Sequence, residues 1–287
     1  EHMDTTSTTR DMDIVRSLLG EPVLNYLGKS YGTAIGTTYA ELFPQRVGRM
    51  VLDGVLPVTA SQEEVTFGQA VSFEASIKHF AADCVDSGEC PFAGSAREVE
   101  QALRSFLAGL DDSPLPTSSD RELTESLGQY AVLSFLYFPS SDYPRLRAAL
   151  TEAVEENDGT ALLSLVDERV NRSPDGRYLD NSTEAFYAVT CADMPYDGTV
   201  DEVARLAAQW QEVAPTFGEA FAWGMLSCVG WPQAAENLDS VSGAGAGPIL
   251  VVSTRQDPAT PYDWGVGLAR SLKDAQLVTW NATNHTA

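Results

Sequence analysis

The sequence predicts an α/β fold: a mostly parallel sheet whose strands are divided by one long helical insertion. Three observations carry this. The first 56 residues alternate helix, strand, helix and strand. From about residue 57 to 247, apolar residues recur at helical spacing and strand candidates are scarce. Strand, helix and strand then resume over residues 248–287. The expected units are a discontinuous core, 1–56 and 248–287, and a helical cap, 57–247.

Residues 5–20 read as the first helix. Thr8 or Thr9 is available to cap it, and Asp11 and Asp13 suit its positive end. Met12, Val15, Leu18 and Leu19 give it an apolar stripe, and Gly20 ends it. Residues 23–27 are short, apolar and strand-like. They lead into Gly28-Lys29-Ser30-Tyr31-Gly32, a G-x-S-x-G. Ala34, Ile35, Tyr39, Leu42 and Phe43 then follow at helical spacing until Pro44 stops the helix.

A strand, a sharp turn and a helix are the setting in which this motif carries a nucleophile; without them it is an ordinary turn. The turn forces the serine into strained backbone angles and lifts its hydroxyl above the sheet, at a helix N-terminus. Backbone N–H groups there, that of Tyr31 among them, can stabilise an oxyanion. Lys29 reads as a solvated side chain. Residues 47–54 form a second strand closing on Asp53-Gly54, which reads as a turn.

Within the insertion, helical periodicity is found around residues 67–80, 96–110, 123–137, 143–155, 161–170, 183–192 and 200–213. Residues 111–120 are a loop, and Gly243-Ala244-Gly245-Ala246-Gly247-Pro248 is a flexible return. Residues 249–253 are a buried strand, 256–261 a turn, 264–272 a helix and 276–280 a last strand.

The chain of 287 residues is 44% hydrophobic, enough for a core with an inserted domain. A formal net charge of −23 disfavours nucleic acid and anionic membrane, which reward Lys and Arg. It suits a cationic or amine-bearing substrate, or simply an acidic surface. No apolar run is long enough to span a bilayer.

Cys84 and Cys90 share the short stretch ADCVDSGECPF, while Cys191 and Cys228 fall in helical territory. The absence of CxxC and the presence of only three histidines argue against zinc, so no metal or cofactor is expected. An even cysteine count with one close pair suggests two disulfides and an oxidising compartment; four buried free thiols are the alternative.

Asp257 follows the strand at 249–253, and His285 follows the strand at 276–280. In a parallel sheet both emerge at the same C-terminal edge as Ser30. Ser…Asp…His is the chain order of the α/β-hydrolases. His285 would take the serine proton, and Asp257 would fix its tautomer. Of the other histidines, His2 is terminal and His79 lies in the insertion. Asp263 is a rival acid, but it falls at the start of a helix.

NYLGKSYGTAIGTTYAELFPQRVGRMVLDGV resembles the nucleophile region of the tripeptidyl aminopeptidase-like (TAP-like) family, secreted actinobacterial α/β-hydrolases of the prolyl aminopeptidase clan. PILVVSTRQDPATPYDWGVGLARSL and LVTWNATNH are similar to that family's C-terminal segment, in which D-P-x-T-P carries the acid. VTCADMP with CVGWP resembles its cap-region cysteine pair, which implies a Cys191–Cys228 bond.

The resemblance implies an exported serine exopeptidase that releases short peptides or single residues from free N-termini, or a related esterase or amidase. Such an exopeptidase must hold a free ammonium, and Asp193 and Glu219 are the cap carboxylates chosen for that role. The competing expectations are an esterase, lipase or thioesterase with the same triad, and an inactive fragment or binding protein. Oligomeric state is not legible.

The sequence departs from the family in two ways. Asn284-His285-Thr286 stands where the family has Gly-His-Gly. Only 22 residues precede Val23, and the Gly-rich segment that supplies the family's other oxyanion donor is absent. The chain is therefore expected to be an internal piece of a longer protein, with Tyr31 the one oxyanion donor it names.

Overall fold

The computed structural model describes residues 2–232 and 238–287; residues 233–237 of the insertion lie outside the described residues. The first helix, α1 (Thr5–Leu18), is capped by Asp4, whose side chain accepts the Ser7 N–H, and not by Thr8 or Thr9. Its expected apolar stripe is also corrected. Val15, Leu18 and Leu19 are exposed, and Thr5, Thr6, Thr9 and Asp13 are buried instead. The polar face tolerates burial because it is hydrogen-bonded. Asp13 accepts from the Tyr39 hydroxyl at 3.0 Å and from Arg16 at 2.8 Å, and it pairs with Arg46.

After α1 come β1 (Leu24–Lys29), α2 (Tyr31–Leu42) and β2 (Val47–Asp53). Eight helices follow among the described residues before the sheet resumes: α3 (Gln62–Ser87), α4 (Ala96–Asp112), α5 (Glu125–Ser134), α6 (Pro139–Thr151), α7 (Thr160–Arg169), α8 (Ser182–Asp193), α9 (Val200–Val213) and α10 (Gly218–Gly224). Strand β3 (Ile249–Thr254), helix α11 (Tyr262–Ser271) and strand β4 (Ala275–Trp280) complete the order.

The four strands pair in sequence order, β1-β2-β3-β4, and every pair is parallel. Lys29 lies opposite Asp53, and Asp53 opposite Val252. This register brings the C-terminal ends of β1, β2 and β3 level, so whatever follows them shares one edge.

Helix α3 starts earlier than its apolar periodicity implies, because Ser61 and Glu64 form a reciprocal capping box at its head. Helix α5 ends at Ser134, short of the expected residue 137. In the insertion, the pairings outside named strands are isolated bridges, Leu115 with Leu123 and Arg172 with Tyr178. Cys84 is bonded to Cys90, and Cys191 to Cys228.

Among the described residues, a small hydrophobic cluster around Val203, Leu206, Trp210 and Met225 joins α9 to α10, and two larger cores divide the rest. One is built largely within the insertion, around Phe73, Ile77, Phe80, Leu103 and Leu136. The other fills the space between the sheet and its helices, with Tyr39, Met50, Leu52, Val251 and Leu268.

Candidate active site

Ser30 sits between β1 and α2 with φ 53° and ψ −124°. Such angles are costly for a residue with a side chain and persist only where the surroundings impose them. The surroundings here are specific. The Ser30 N–H donates to the Asp53 carbonyl oxygen at 2.9 Å, and the Ser30 carbonyl accepts from the Thr33 hydroxyl at 2.6 Å. Gly28 lets the turn close, because a Cβ there would stand 2.4 Å from the Gly32 carbonyl oxygen. The serine is half-buried and occupies the N-cap of α2, where Tyr31 contributes the first helical N–H.

Asp257 and His285 are both buried. His285 Nδ1 lies 2.8 Å from Asp257 Oδ1 and 3.1 Å from Oδ2. A carboxylate partner assigns the proton to Nδ1 and leaves Nε2 as the basic nitrogen. Asp257 is itself oriented by the N–H groups of Ala259 at 2.9 Å and Thr260 at 2.8 Å on Oδ1. The Thr260 hydroxyl stands 3.4 Å from His285 Nδ1. The imidazole meets the Tyr137 ring edge-on, with centroids 5.2 Å apart.

Three successive N–H groups hold the turn that carries the histidine. His285 donates to the Tyr137 carbonyl at 2.9 Å, Thr286 to Asp257 Oδ2 at 3.0 Å, and Ala287 to Asp53 Oδ2 at 2.8 Å. Sequence reasoning missed Asp53, which it took for a turn residue. Asp53 is a buried carboxyl, pushed up by burial and by the neighbouring Asp257 charge. The available signal was its place at the end of the strand beside β1, at the same edge as Ser30. Lys29 is likewise more than a solvated side chain. Its ammonium stands 3.8 Å from Asp53 Oδ2 and donates to the Ala287 carbonyl oxygen. Asp263 falls in the first turn of α11 and His79 within α3.

The two cap carboxylates lie in different places. Asp193 ends α8 and accepts from the Thr5 N–H at 2.8 Å and the Thr5 hydroxyl at 2.5 Å. Since Thr5 gives its one proton to Asp193, the Tyr31 hydroxyl donates to Thr5 Oγ1, 2.7 Å away. Burial pushes the Asp193 carboxyl up, against the bonds from Thr5, and pushes the Tyr31 phenol up to about 12. Asp193 is thus tied through Thr5 to the residue next to Ser30.

Glu219 lies on α10 and lines a cleft of about 940 Å³ with Asp111, Glu125, Tyr130, Tyr187 and Phe221. Burial and the charges of Asp111 and Glu219 push the Glu125 carboxyl up, and these three carboxyls outnumber the Arg104 guanidinium that shares the lining and pairs with Glu74. Aromatic contacts run from His285 through Tyr137 and Phe73 to Phe221 on the cleft wall.

Residues 214–287, which include Asp257 and His285, match the family described as TAP-like protein. The serine protease Hip1 of Mycobacterium tuberculosis is 36% identical over 99% of this chain and 56% of its own length. Carboxylesterase B of the same species is 37% identical over 100% of this chain and 55% of its own. The tripeptidyl aminopeptidase of Streptomyces lividans is 30% identical over 97% of this chain and 51% of its own. The chain therefore spans about half the length of the curated relatives it matches. Among solved structures, the α/β hydrolase MGS-M2 from a deep-sea metagenome library aligns with 98% of this chain and 64% of its own. Its TM-score is 0.35 at 14% identity, too slight a likeness to add to the argument.

Proposed function

We propose, for a chain that belongs with the TAP-like α/β-hydrolases, that Ser30, His285 and Asp257 are the nucleophile, base and acid of a serine hydrolase. The observation that carries this reading is the strained Ser30 at φ 53°, set at the sheet edge from which the hydrogen-bonded Asp257–His285 pair emerges. Ser30 Oγ attacks the carbonyl carbon of the scissile bond while His285 Nε2 takes its proton. Asp257 keeps Nδ1 protonated and stabilises the imidazolium. The carbonyl oxygen becomes an oxyanion facing the Tyr31 N–H at the head of α2. His285 then returns the proton to the departing group, and water, activated in the same way, releases the acyl group from Ser30.

The finer reading is an aminopeptidase that removes short peptides or single residues from free N-termini. Residues 57–247 act in it as a cap over the triad. Support comes from the anionic cleft with Glu219, Glu125 and Asp111, which suits an ammonium group, and from the relative named tripeptidyl aminopeptidase. Asp193, held beside the elbow by Thr5, is the second carboxyl of this reading. The two disulfides support an extracytoplasmic location, and no helix among the described residues is long and apolar enough to cross a membrane.

An esterase is the second reading, favoured by the relative named carboxylesterase and by the aromatic lining of the same cleft. Rates on tripeptide anilides with free and acetylated N-termini, and on p-nitrophenyl acyl esters, separate the two. Acetylation removes the charge that the cap carboxylates hold. The aminopeptidase reading expects the acetylated peptide to be slower by on the order of a hundredfold. Equal rates on the two peptides, with esters turned over faster than either, would replace it by the esterase and leave the triad untouched.

A further inference from the structure

We propose that Asp53 is a positioning residue for His285, acting through the N–H of Ala287. The proposal rests on the reading of Ser30, His285 and Asp257 as a triad.

Asp53 ends β2, the strand hydrogen-bonded to β1, and its backbone carbonyl already holds the Ser30 N–H. Its side chain reaches the other half of the site. Oδ2 accepts the Ala287 N–H at 2.8 Å, across 234 residues of sequence. One residue therefore touches both the nucleophile turn and the histidine turn. Lys29 stands 3.8 Å from the same oxygen and bonds the Ala287 carbonyl, so Ala287 is held on both sides of its Cα.

The turn needs holding. Thr286 has φ 59°, a left-handed conformation that a β-branched residue resists. It persists because the N–H groups of 285, 286 and 287 go in succession to Tyr137, Asp257 and Asp53. Gly54 lets the Asp53 turn approach closely: it has φ +69°, and a Cβ there would stand 2.8 Å from Thr286 Cγ2 and 2.9 Å from Thr260 Oγ1.

Asp53 itself is imperfectly satisfied. Its Oδ1 is buried with no hydrogen-bond partner among the described residues. A buried carboxyl with one oxygen unpaired costs stability. The fold carries that cost where the other oxygen fixes the turn of His285. Without the Ala287 bond, the strain at Thr286 is relieved by rotation of the turn, and the imidazole moves away from Ser30.

The test reads the second-order rate at which a fluorophosphonate labels Ser30, which does not depend on knowing the substrate. Asp53→Ala should label more slowly by on the order of ten- to a hundredfold, the usual consequence of an ångström-scale misplacement. Asp53→Asn keeps an acceptor for Ala287 and should retain most of the wild-type rate. Adding Thr286→Gly to Asp53→Ala should recover part of the loss, because glycine adopts the left-handed conformation without strain; the recovery should persist at a temperature where both variants are fully folded by circular dichroism, which a general gain in stability would not produce. If Asp53→Ala does not fold, Asp53→Ser, whose hydroxyl is one bond short of Ala287, is read in its place.

Wild-type labelling with an unchanged rate in Asp53→Ala overturns the role of Asp53 alone. An Asp53→Asn protein as slow as Asp53→Ala, or no recovery on adding Thr286→Gly, overturns it as well. A wild-type protein that does not label, or a Ser30→Ala control that labels equally, overturns the triad reading beneath it.

Discussion

The N–H of His285 donates to the carbonyl oxygen of Tyr137 at 2.9 Å, and the two rings meet edge-on with centroids 5.2 Å apart. A residue between α5 and α6, deep in the insertion that separates β2 from β3, therefore sets the place of the residue that follows β4. The Arg169 guanidinium lies 4.9 Å from the centroid of the same Tyr137 ring, so α7 supports the arrangement from behind. The insertion and the sheet are coupled at the imidazole.

Tyr137→Ala removes the ring but leaves the carbonyl. The expected outcome is a fall in kcat on the order of tenfold or more with KM little changed, because the loss is one of orientation at the base. Tyr137→Phe keeps the ring and should stay close to wild type. Steady-state kinetics on whichever substrate class is turned over distinguishes the pair.

Ser30→Ala should abolish turnover, by on the order of 10⁴-fold or more, since triad members act as a unit. Ser30→Gly should do the same and in addition raise the melting temperature. At φ 53° the serine stores strain worth about 1–3 kcal/mol, which glycine releases less a fraction for its freer unfolded chain. Calorimetry alongside the assay checks both halves; a lowered melting point would argue against stored strain at the elbow.

The Cys191–Cys228 bond spans 37 residues and the Cys84–Cys90 bond spans 6. In the chain-entropy account, opening the first should cost about 4 kcal/mol and the second about 2 kcal/mol. Denaturant midpoints of Cys228→Ala and Cys84→Ala should fall in that order. Equal losses would mean that local packing, such as the Gln62 amide 3.2 Å from Cys228 Sγ, outweighs loop length.

Asp13 supplies a pH test. Burial works to raise its carboxyl, but hydrogen bonds from Arg16 and Tyr39 and the charges of Arg16 and Arg46 hold it below the ordinary value. A depressed carboxylate contributes stability that is present above its unfolded pKa and lost as the pH falls through the folded one. Asp13→Asn should therefore destabilise the protein at pH 7, by about 1 kcal/mol once solvent screening at the half-exposed Arg46 is allowed for. The difference should shrink as the pH is taken from 7 to below the ordinary carboxylate value of about 4 and on through the lowered folded one, where both proteins become neutral at this position. Urea unfolding at neutral and acid pH checks it, and a gap of the same size at both would contradict the assignment.

The sequence by itself determined what short-range chemistry controls. The Gly28–Gly32 turn between an apolar run and a helical stripe located the elbow. Helical spacing separated the insertion from the strands, and the positions of Asp257 and His285 after successive strands placed them at one edge, because parallel strands all point the same way. The tertiary structure alone decided what depends on distant neighbours. Helix α1 carries a plain apolar stripe, yet it buries Thr9 and Asp13, because Tyr39 and Arg46 of the next elements hydrogen-bond that face. Thr5 meets Asp193 across 188 residues, and Asp53 meets Ala287 across 234. A carboxylate on a strand end reads the same as a turn residue or as a histidine anchor until its partner is known. The partner is brought to it by the packing of whole elements, and no local pattern records that.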